Sequence, residues 1–295
     1  MRRREFIAGL AGTAAWPLAV RGQQAKVPTI GILLTRRQDI EVFLKGFRAS
    51  LKEFGYVEGQ NIRLEVRSGE GSTSRLPERA AELVHLQVDL IVTSQTPAGL
   101  AAKQATSDIP IVMAAAGDPV ATGLIESLAR PGGNITGMSV ASAELAGKSL
   151  ELIREVIPSA RRVAVLANEV DPFTQTLLQH IARGARALSI EVVPVMTRPG
   201  GPYEAAFQAM RNKKVNALVV QGTILNKEVL DLAIKHHLPS FGSNRQLARS
   251  GGLMSYAASA SEVYREAAGY VDKILKGRKP ADLPVEQPIK FEFIV

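Results

Sequence analysis

Short apolar runs alternate with amphipathic segments from about residue 28 onward, and this alternation restricts the fold more than any other feature. The apolar runs are rich in β-branched residues, which is typical of buried strands. We predict such strands at Thr29–Leu34, Leu90–Thr93, Ile109–Met113, Arg162–Leu166, Ile190–Val195 and Ala217–Gln221. The stretch Asn61–Val66 alternates polar and apolar residues and predicts a half-exposed strand.

Amphipathic segments with helical spacing lie between these strands. They predict helices at Ile40–Phe54, Leu76–Leu86, Ala98–Ala105, Ala143–Val156, Phe173–Leu188, Tyr203–Asn212, Lys227–His236 and Ser261–Lys276. Strands that alternate with helices form parallel sheets covered by helices. The pattern occurs in two runs, at about 28–140 and 160–255, so we expect two α/β lobes.

The first 22 residues have the features of an export signal. Three arginines at positions 2–4 precede a small, apolar stretch from Ala8 to Val20, which is shorter than the roughly 20 residues of a membrane-spanning helix. Arg3 and Arg4 resemble the twin-arginine pattern, with an ordinary secretory signal or an uncleaved anchor as the alternatives. We expect cleavage after Gly22 and a soluble protein in the periplasm.

Composition and motifs exclude several chemistries. The chain has no cysteine, which excludes disulfides, thiolate metal sites, cysteine nucleophiles and a lipoprotein anchor. The net charge of +8 is scattered rather than clustered, which favours a solvated surface over nucleic-acid or membrane binding. The glycine-rich phosphate-binding motifs, the hydrolase nucleophile motif and the zinc-protease motif are all missing. We therefore predict no catalytic residue, metal or cofactor.

The loops that follow the predicted strands are the candidate binding positions, because ligands of α/β sheets bind beyond the carboxyl ends of the strands. These loops are 35–37, 94–97, 116–119, 168–172 and 222–226. We predict Thr96 as a helix cap, and Asp118 as a cap whose carboxylate also accepts a ligand ammonium. A helix start binds a carboxylate, so the loops together suit a zwitterion. The alternative is that these residues are only helix caps.

Several stretches together resemble one family. The most specific is Gly-Asp-Pro-Val at 117–120, followed by Arg-Pro-Gly-Gly-Asn-Ile-Thr-Gly at 130–137. Similar stretches lie at 47–51, 55–61, 93–98, 103–106, 109–112 and 251–256. This combination resembles the ABC-transporter substrate-binding proteins of the tryptophan/tyrosine-type group, over nearly the whole chain after the signal.

The resemblance implies a type I periplasmic-binding-protein fold, in which two α/β lobes are hinged by three crossovers and close on a ligand. The N-terminal lobe would comprise residues 28–140 and 259–280, and the C-terminal lobe 141–258 and 288–295. The implied function is capture of a small polar or zwitterionic solute, with an amino acid among the candidates, for delivery to membrane permease subunits, without catalysis. The protein would be a monomer with no nucleic-acid partner. A sensor for a membrane receptor and an enzyme on the same lobes are the alternatives.

The family's site, carried over to this sequence, draws on both lobes. The implied ligand-binding residues are Thr35, Ser94, Gln95, Thr96, Gly117, Asp118 and Thr136 in the first lobe, Asn168, Gln221, Gly222 and Thr223 in the second, and Tyr256 at a crossover. In group members that take aromatic amino acids, the helix starts of the first lobe hold the ligand carboxylate.

Overall fold

A computed structural model describes residues 27–140 and 142–295, so the predicted export signal lies outside the described residues. Parallel strands form the first lobe's sheet in the order β2-β1-β3-β4-β5. These strands are β1 Thr29–Leu34, β2 Arg63–Ser68, β3 Leu90–Ser94, β4 Ile111–Gly117 and β5 Ile135–Val140. The helices that follow β1, β2 and β3 are α1 Ile40–Glu53, α2 Leu76–His85 and α3 Thr96–Ala105.

The second lobe repeats this architecture around a larger sheet, with the strand order β11-β10-β9-β8-β6-β7. Its strands are β6 Arg162–Asn168, β7 Glu191–Thr197, β8 Ala217–Val220, β9 Ser240–Gly242, β10 Met254–Ala258 and β11 Phe291–Ile294. Its helices are α4 Ser142–Val156, α5 Thr174–Ala187, α6 Tyr203–Asn212, α7 Lys227–Lys235 and α8 Arg245–Arg249. All strand pairs are parallel except β10 with β11.

Most of the apolar runs predicted as strands are buried on both faces of their sheet, as is typical of parallel strands covered by helices. The exception is β7, an edge strand whose residues alternate between buried and exposed. In β1, Ile30 and Ile32 pack with Phe47 of α1, whereas Leu33 faces the opposite core. The prediction of α/β lobes with helix-covered parallel sheets is thus confirmed. Among the described residues, no helix combines the length and apolar character needed to cross a bilayer.

Three segments cross between the lobes: the chain from β5 to α4, the chain from β10 to the last helix α9 (Ala260–Leu275), and the chain from α9 to β11. Helix α9 packs on α1, β4 and β5 of the first lobe. The third segment bonds to β5, since the Glu286 N–H donates to the Gly137 carbonyl at 3.1 Å and the Ser139 N–H donates to the Glu286 carbonyl at 2.8 Å. This pairing fixes the third crossover against the first.

Some sequence-based predictions of elements were incomplete. Strand β5 was not predicted; it begins at Ile135, just after the Pro-Gly-Gly turn at 131–133. Strands β9 and β10 and helix α8, which are three to five residues long, were also not predicted. No helix follows Asp118: the chain continues through turns, with Gly123, Gly132 and Gly133 at positive φ.

Candidate ligand-binding site

A cavity of about 640 Å³ lies between the two lobes, at the carboxyl ends of both sheets. Its walls come from the loops after β1, β3 and β4 in the first lobe, from the loops after β6, β8 and β9 in the second, and from the start of α9. The volume is within the usual range of about 300–1,000 Å³ for a small-molecule site. The placement agrees with the expectation that loops after parallel strands form the binding region.

The first-lobe wall is built around the start of α3. Gln95 precedes the helix with φ at +73°, which is strained for a residue with a side chain. Its N–H donates to the Ala115 carbonyl at 2.6 Å. The Thr96 hydroxyl is not the predicted cap, because it donates to the Gly117 carbonyl at 3.2 Å and accepts from the Gly117 N–H at 3.1 Å. The buried Gln95 Oε1 has no hydrogen-bond partner among the described residues.

The second-lobe wall contains a buried carboxyl group, that of Asp171, which is 4% exposed. One oxygen accepts from the Phe173 N–H at 3.0 Å, and the other accepts from Gln221 Nε2 at 2.9 Å and from the Thr223 hydroxyl at 3.0 Å. Burial raises the pKa of Asp171, and these three hydrogen bonds oppose the increase. Within the described part of the chain, no lysine, arginine or histidine forms an ion pair with this carboxyl group.

Aromatic side chains make part of the cavity apolar. Phe43 and Tyr264 meet edge to face, with ring centroids 5.2 Å apart. Phe173 of the second lobe lies against Gly117 of the first, where an added Cβ would come within 3.0 Å of the ring. Glycine at position 117 therefore allows the lobes to approach closely at this point.

Polar contacts also join the lobes beside the cavity. Arg36, which is 4% exposed, donates to the Leu225 carbonyl of the second lobe, and Gln38 Nε2 donates to the same carbonyl at 2.9 Å. The Arg36 guanidinium also pairs with both oxygens of Asp39, at 2.7 and 2.8 Å. A ligand in the cavity would thus be held by lobes that already touch each other.

Seven of the residues predicted from the sequence line the cavity: Ser94, Gln95, Thr96, Gly117, Gln221, Gly222 and Thr223. Two others, Asn168 and Thr35, are buried and do not line the cavity. Asn168 is buried, and its N–H donates to Gln221 Oε1 at 2.8 Å, so it positions that side chain. Thr35 is also buried, and its hydroxyl has no partner among the described residues.

The other three predicted residues lie outside the cavity lining. Asp118 closes a turn, where its Oδ1 accepts from the Ala121 N–H at 3.0 Å. Thr136 is buried in β5 and donates to the Leu283 carbonyl at 2.7 Å, which ties the third crossover to the sheet. Tyr256 stacks on Phe291 with centroids 5.6 Å apart, at the edge of the second sheet.

The cavity lining also includes residues that were not predicted as ligand-binding, among them Arg36, Asp171, Phe173, Arg245 and Tyr264. The first three lie in or beside loops that the sequence analysis selected. Arg245 follows β9, which was not predicted. Tyr264 has the spacing of a core residue on its helix, and no sequence signal marks it as cavity-lining. Among the described residues, no cluster of histidine, aspartate and glutamate could hold a metal ion.

Known proteins similar to this chain include ligand-binding proteins of the same fold. The chain is 27% identical over 278 residues to a "Tyrosine-binding protein" of Clostridioides difficile, covering 92% of this chain and 79% of that protein. It is similar to an ABC domain of Streptococcus pneumoniae in complex with L-Trp, with a TM-score of 0.84, 26% identity and 91% of each chain covered. A conserved domain protein of Vibrio cholerae shares the fold, with a TM-score of 0.85, 24% identity and 92% of each chain covered.

The profile of one family matches residues 37–295, which is most of the chain. Its description is "ABC transporter substrate binding protein". This match confirms the resemblance carried by the motifs at 117–120 and 130–137, and the solved relatives confirm the two-lobed fold. The chain belongs to the family of ABC transporter substrate-binding proteins.

Proposed function

We propose that this protein is the extracytoplasmic receptor of an ABC importer, which captures a small zwitterionic solute of the amino-acid class and delivers it to a membrane permease. Membership of the family supports the role of receptor. The tyrosine-binding and L-Trp-bound relatives support an amino acid as the ligand. The export signal predicted at residues 1–22 supports a place outside the cytoplasm, and intact-mass analysis of exported protein should show a chain that starts at Gln23.

The buried carboxyl group of Asp171 is the observation that carries the amino-acid assignment. It lies in the cavity wall with three hydrogen-bond donors but no cationic partner among the described residues. A buried charge without a counter-ion is costly, and a ligand ammonium would offset that cost. Asp171 thus takes the role that the sequence analysis gave to Asp118, whose carboxyl group closes a turn elsewhere.

The opposite wall suits the carboxylate of the same ligand. Helix α3 begins at the cavity, and the start of a helix carries a partial positive charge that favours an anion. The α3 start belongs to the first lobe and Asp171 to the second, so a zwitterion between them would contact both lobes. The rings of Phe43, Phe173 and Tyr264 leave an apolar region for the side chain of the ligand.

We expect Asp171→Asn to weaken binding of L-tyrosine about tenfold, because a charge-assisted bond contributes about 1.5 kcal/mol or more. The same substitution should change the affinity for desaminotyrosine, which lacks the ammonium group, by less than about twofold, which corresponds to roughly 0.4 kcal/mol. Titration calorimetry on both ligands measures the two effects. A panel of other amino acids, tested by thermal shift, extends the comparison if L-tyrosine is not the tightest ligand.

Asp118→Asn is the matched control, since it removes a carboxylate of the same type outside the cavity lining. It should leave the affinity for L-tyrosine unchanged. Equal weakening of both ligands by Asp171→Asn would mean that Asp171 shapes the wall and does not bind an ammonium. A wild-type protein that binds no amino acid would contradict the proposed ligand class.

A further inference from the structure

Arg245 presents an unused hydrogen-bond donor at the end of the cavity nearest the crossovers. Its side chain lines the cavity, and its buried Nε has no partner among the described residues. Its Nη1 lies 3.6 Å from Glu292 Oε2, which is too long for a hydrogen bond. The side chain is 27% exposed, but its Nε is buried. A buried donor without an acceptor is unfavourable, so a ligand oxygen placed at this Nε would be stabilised.

Glu292 attracts Arg245 electrostatically but accepts no hydrogen bond from it. The other Glu292 oxygen, Oε1, accepts from the Ser259 hydroxyl at 2.8 Å, so the carboxylate is fixed between the crossover and Arg245. The arginine is thereby kept at the side of the cavity next to β11. The Arg245 Nε has no acceptor, and at 3.6 Å the Glu292 carboxylate balances the positive charge of Arg245 only in part.

None of the described groups around Arg245 accepts a hydrogen bond from its Nε. Tyr264 also lines this end of the cavity, and its hydroxyl forms no hydrogen bond to another described residue. Burial raises the pKa of Tyr264, the negative charge of Asp39 raises it further, and the positive charge of Arg245 opposes the increase. The Asp39 carboxylate is already paired with Arg36.

Arg245 is well separated from the ammonium site proposed at Asp171. Arg245 follows β9 and Asp171 follows β6, and β8 lies between these strands. Neighbouring strands are about 4.8 Å apart, so the two strand ends are separated by about 10 Å. The carboxylate and ammonium of one α-amino acid are much closer together than that. This spacing of the strand ends leaves room for Arg245 to meet a part of the ligand other than an amino-acid group held at Asp171 and α3.

We infer that Arg245 binds an oxygen acceptor, a carboxylate or a phenol oxygen, at the distal end of the ligand's side chain. The assignment rests on the proposed function for the position of the amino-acid group. It narrows the ligand class to amino acids whose side chain ends in such an oxygen. The same residue would discriminate against side chains that end in hydrogen, because its buried Nε would then stay unpaired.

Three probes that differ only at the para position test this inference: L-phenylalanine, L-tyrosine and para-carboxy-L-phenylalanine. In the wild-type protein, calorimetry should show affinity that increases in that order. Arg245→Gln should reduce the affinity for para-carboxy-L-phenylalanine about tenfold, which is the loss of one charge-assisted bond. Its affinity for L-phenylalanine should stay within about twofold of the wild-type value, or roughly 0.4 kcal/mol.

Arg249→Gln is the matched control, because Arg249 is an exposed arginine at the other end of the same short helix. It should bind all three probes as the wild type does. Two results would overturn the inference. One is that Arg245→Gln weakens binding of all three probes by the same factor. The other is that the wild-type protein binds the three probes with the same affinity.

A ligand without an amino-acid group separates this inference from the proposed function. If none of the three probes binds the wild-type protein, the amino-acid assignment fails, and benzoate then tests the arginine alone. Thermal stabilisation by millimolar benzoate that is lost in Arg245→Gln but kept in Arg249→Gln would support the oxygen site. No stabilisation of the wild type, or equal stabilisation of all three proteins, would overturn it.

Discussion

Replacing Gly137 with alanine should lower the melting temperature by roughly 6–12 °C, the shift expected for about 3 kcal/mol in a chain of this size. Gly137 lies in β5 with φ at +128°, a conformation that residues with a Cβ rarely adopt. An added Cβ would come within 2.2 Å of the Met113 carbonyl oxygen in the paired strand β4. Because the obstacle is backbone, either the strand pair or the crossover bonded to Gly137 must shift.

Gly133→Ala is the control for this prediction. Gly133 also has a positive φ, at +61°, but an added Cβ would meet nothing within 4 Å. Alanine there should cost only the conformational penalty of about 1 kcal/mol. Thermal unfolding followed by circular dichroism compares the two variants. Equal melting temperatures would show that the close approach of β4 and β5 does not depend on glycine.

The fold could be predicted where the hydrophobic pattern was long enough to identify an element. Strand β1 and helix α6 were predicted with the bounds that the structure shows. Strand β9 could not be predicted, because its three residues are too few to show a periodic pattern of hydrophobicity. Strand β5 was hidden by the glycines before it and by Gly137 within it, which lower its apparent strand propensity.

The candidate site was predictable at the level of loops but only partly at the level of side chains. The loops after β3 and β8 supply the residues that were expected from them, because backbone position decides which loops open on the cavity. Whether a side chain enters the cavity depends on local turns. Asp118, after β4, accepts a hydrogen bond from the Ala121 N–H, whereas Asp171, after β6 in the other lobe, lines the cavity and accepts from Gln221. Sequence spacing carries no signal that separates these two aspartates.

Contacts between the lobes could not be predicted from the sequence for a similar reason. The pairing of Arg36 with the Leu225 carbonyl joins residues 189 positions apart in the chain. It depends on how far the lobes close, which neither lobe's own pattern specifies. In the structure the lobes are in contact, with Arg36 buried and Phe173 against Gly117. The energy of closure therefore includes protein–protein contacts as well as ligand contacts.

Arg36→Ala should weaken ligand binding by about 100-fold, an effect of roughly 3 kcal/mol. The substitution removes a charge-assisted bond to the Leu225 carbonyl and leaves the Asp39 carboxylate without the guanidinium that pairs with it. Only the bond to Leu225 crosses between the lobes, whereas the Asp39 pair lies within the first lobe, so the loss of the Leu225 bond is the one that disfavours closure. If the closed state is less populated, the apparent affinity decreases in proportion. Titration calorimetry with L-tyrosine measures the change.

Two comparisons distinguish closure from direct binding of the ligand by Arg36. Tyramine lacks the carboxylate of L-tyrosine, so a loss of closure should weaken both ligands by the same factor, whereas a lost contact between Arg36 and the carboxylate would weaken L-tyrosine alone. Arg37→Ala is the matched control, since Arg37 is the neighbouring exposed arginine and does not line the cavity. An Arg36→Ala protein that binds both ligands as tightly as Arg37→Ala would show that these interlobe contacts do not stabilise the closed state.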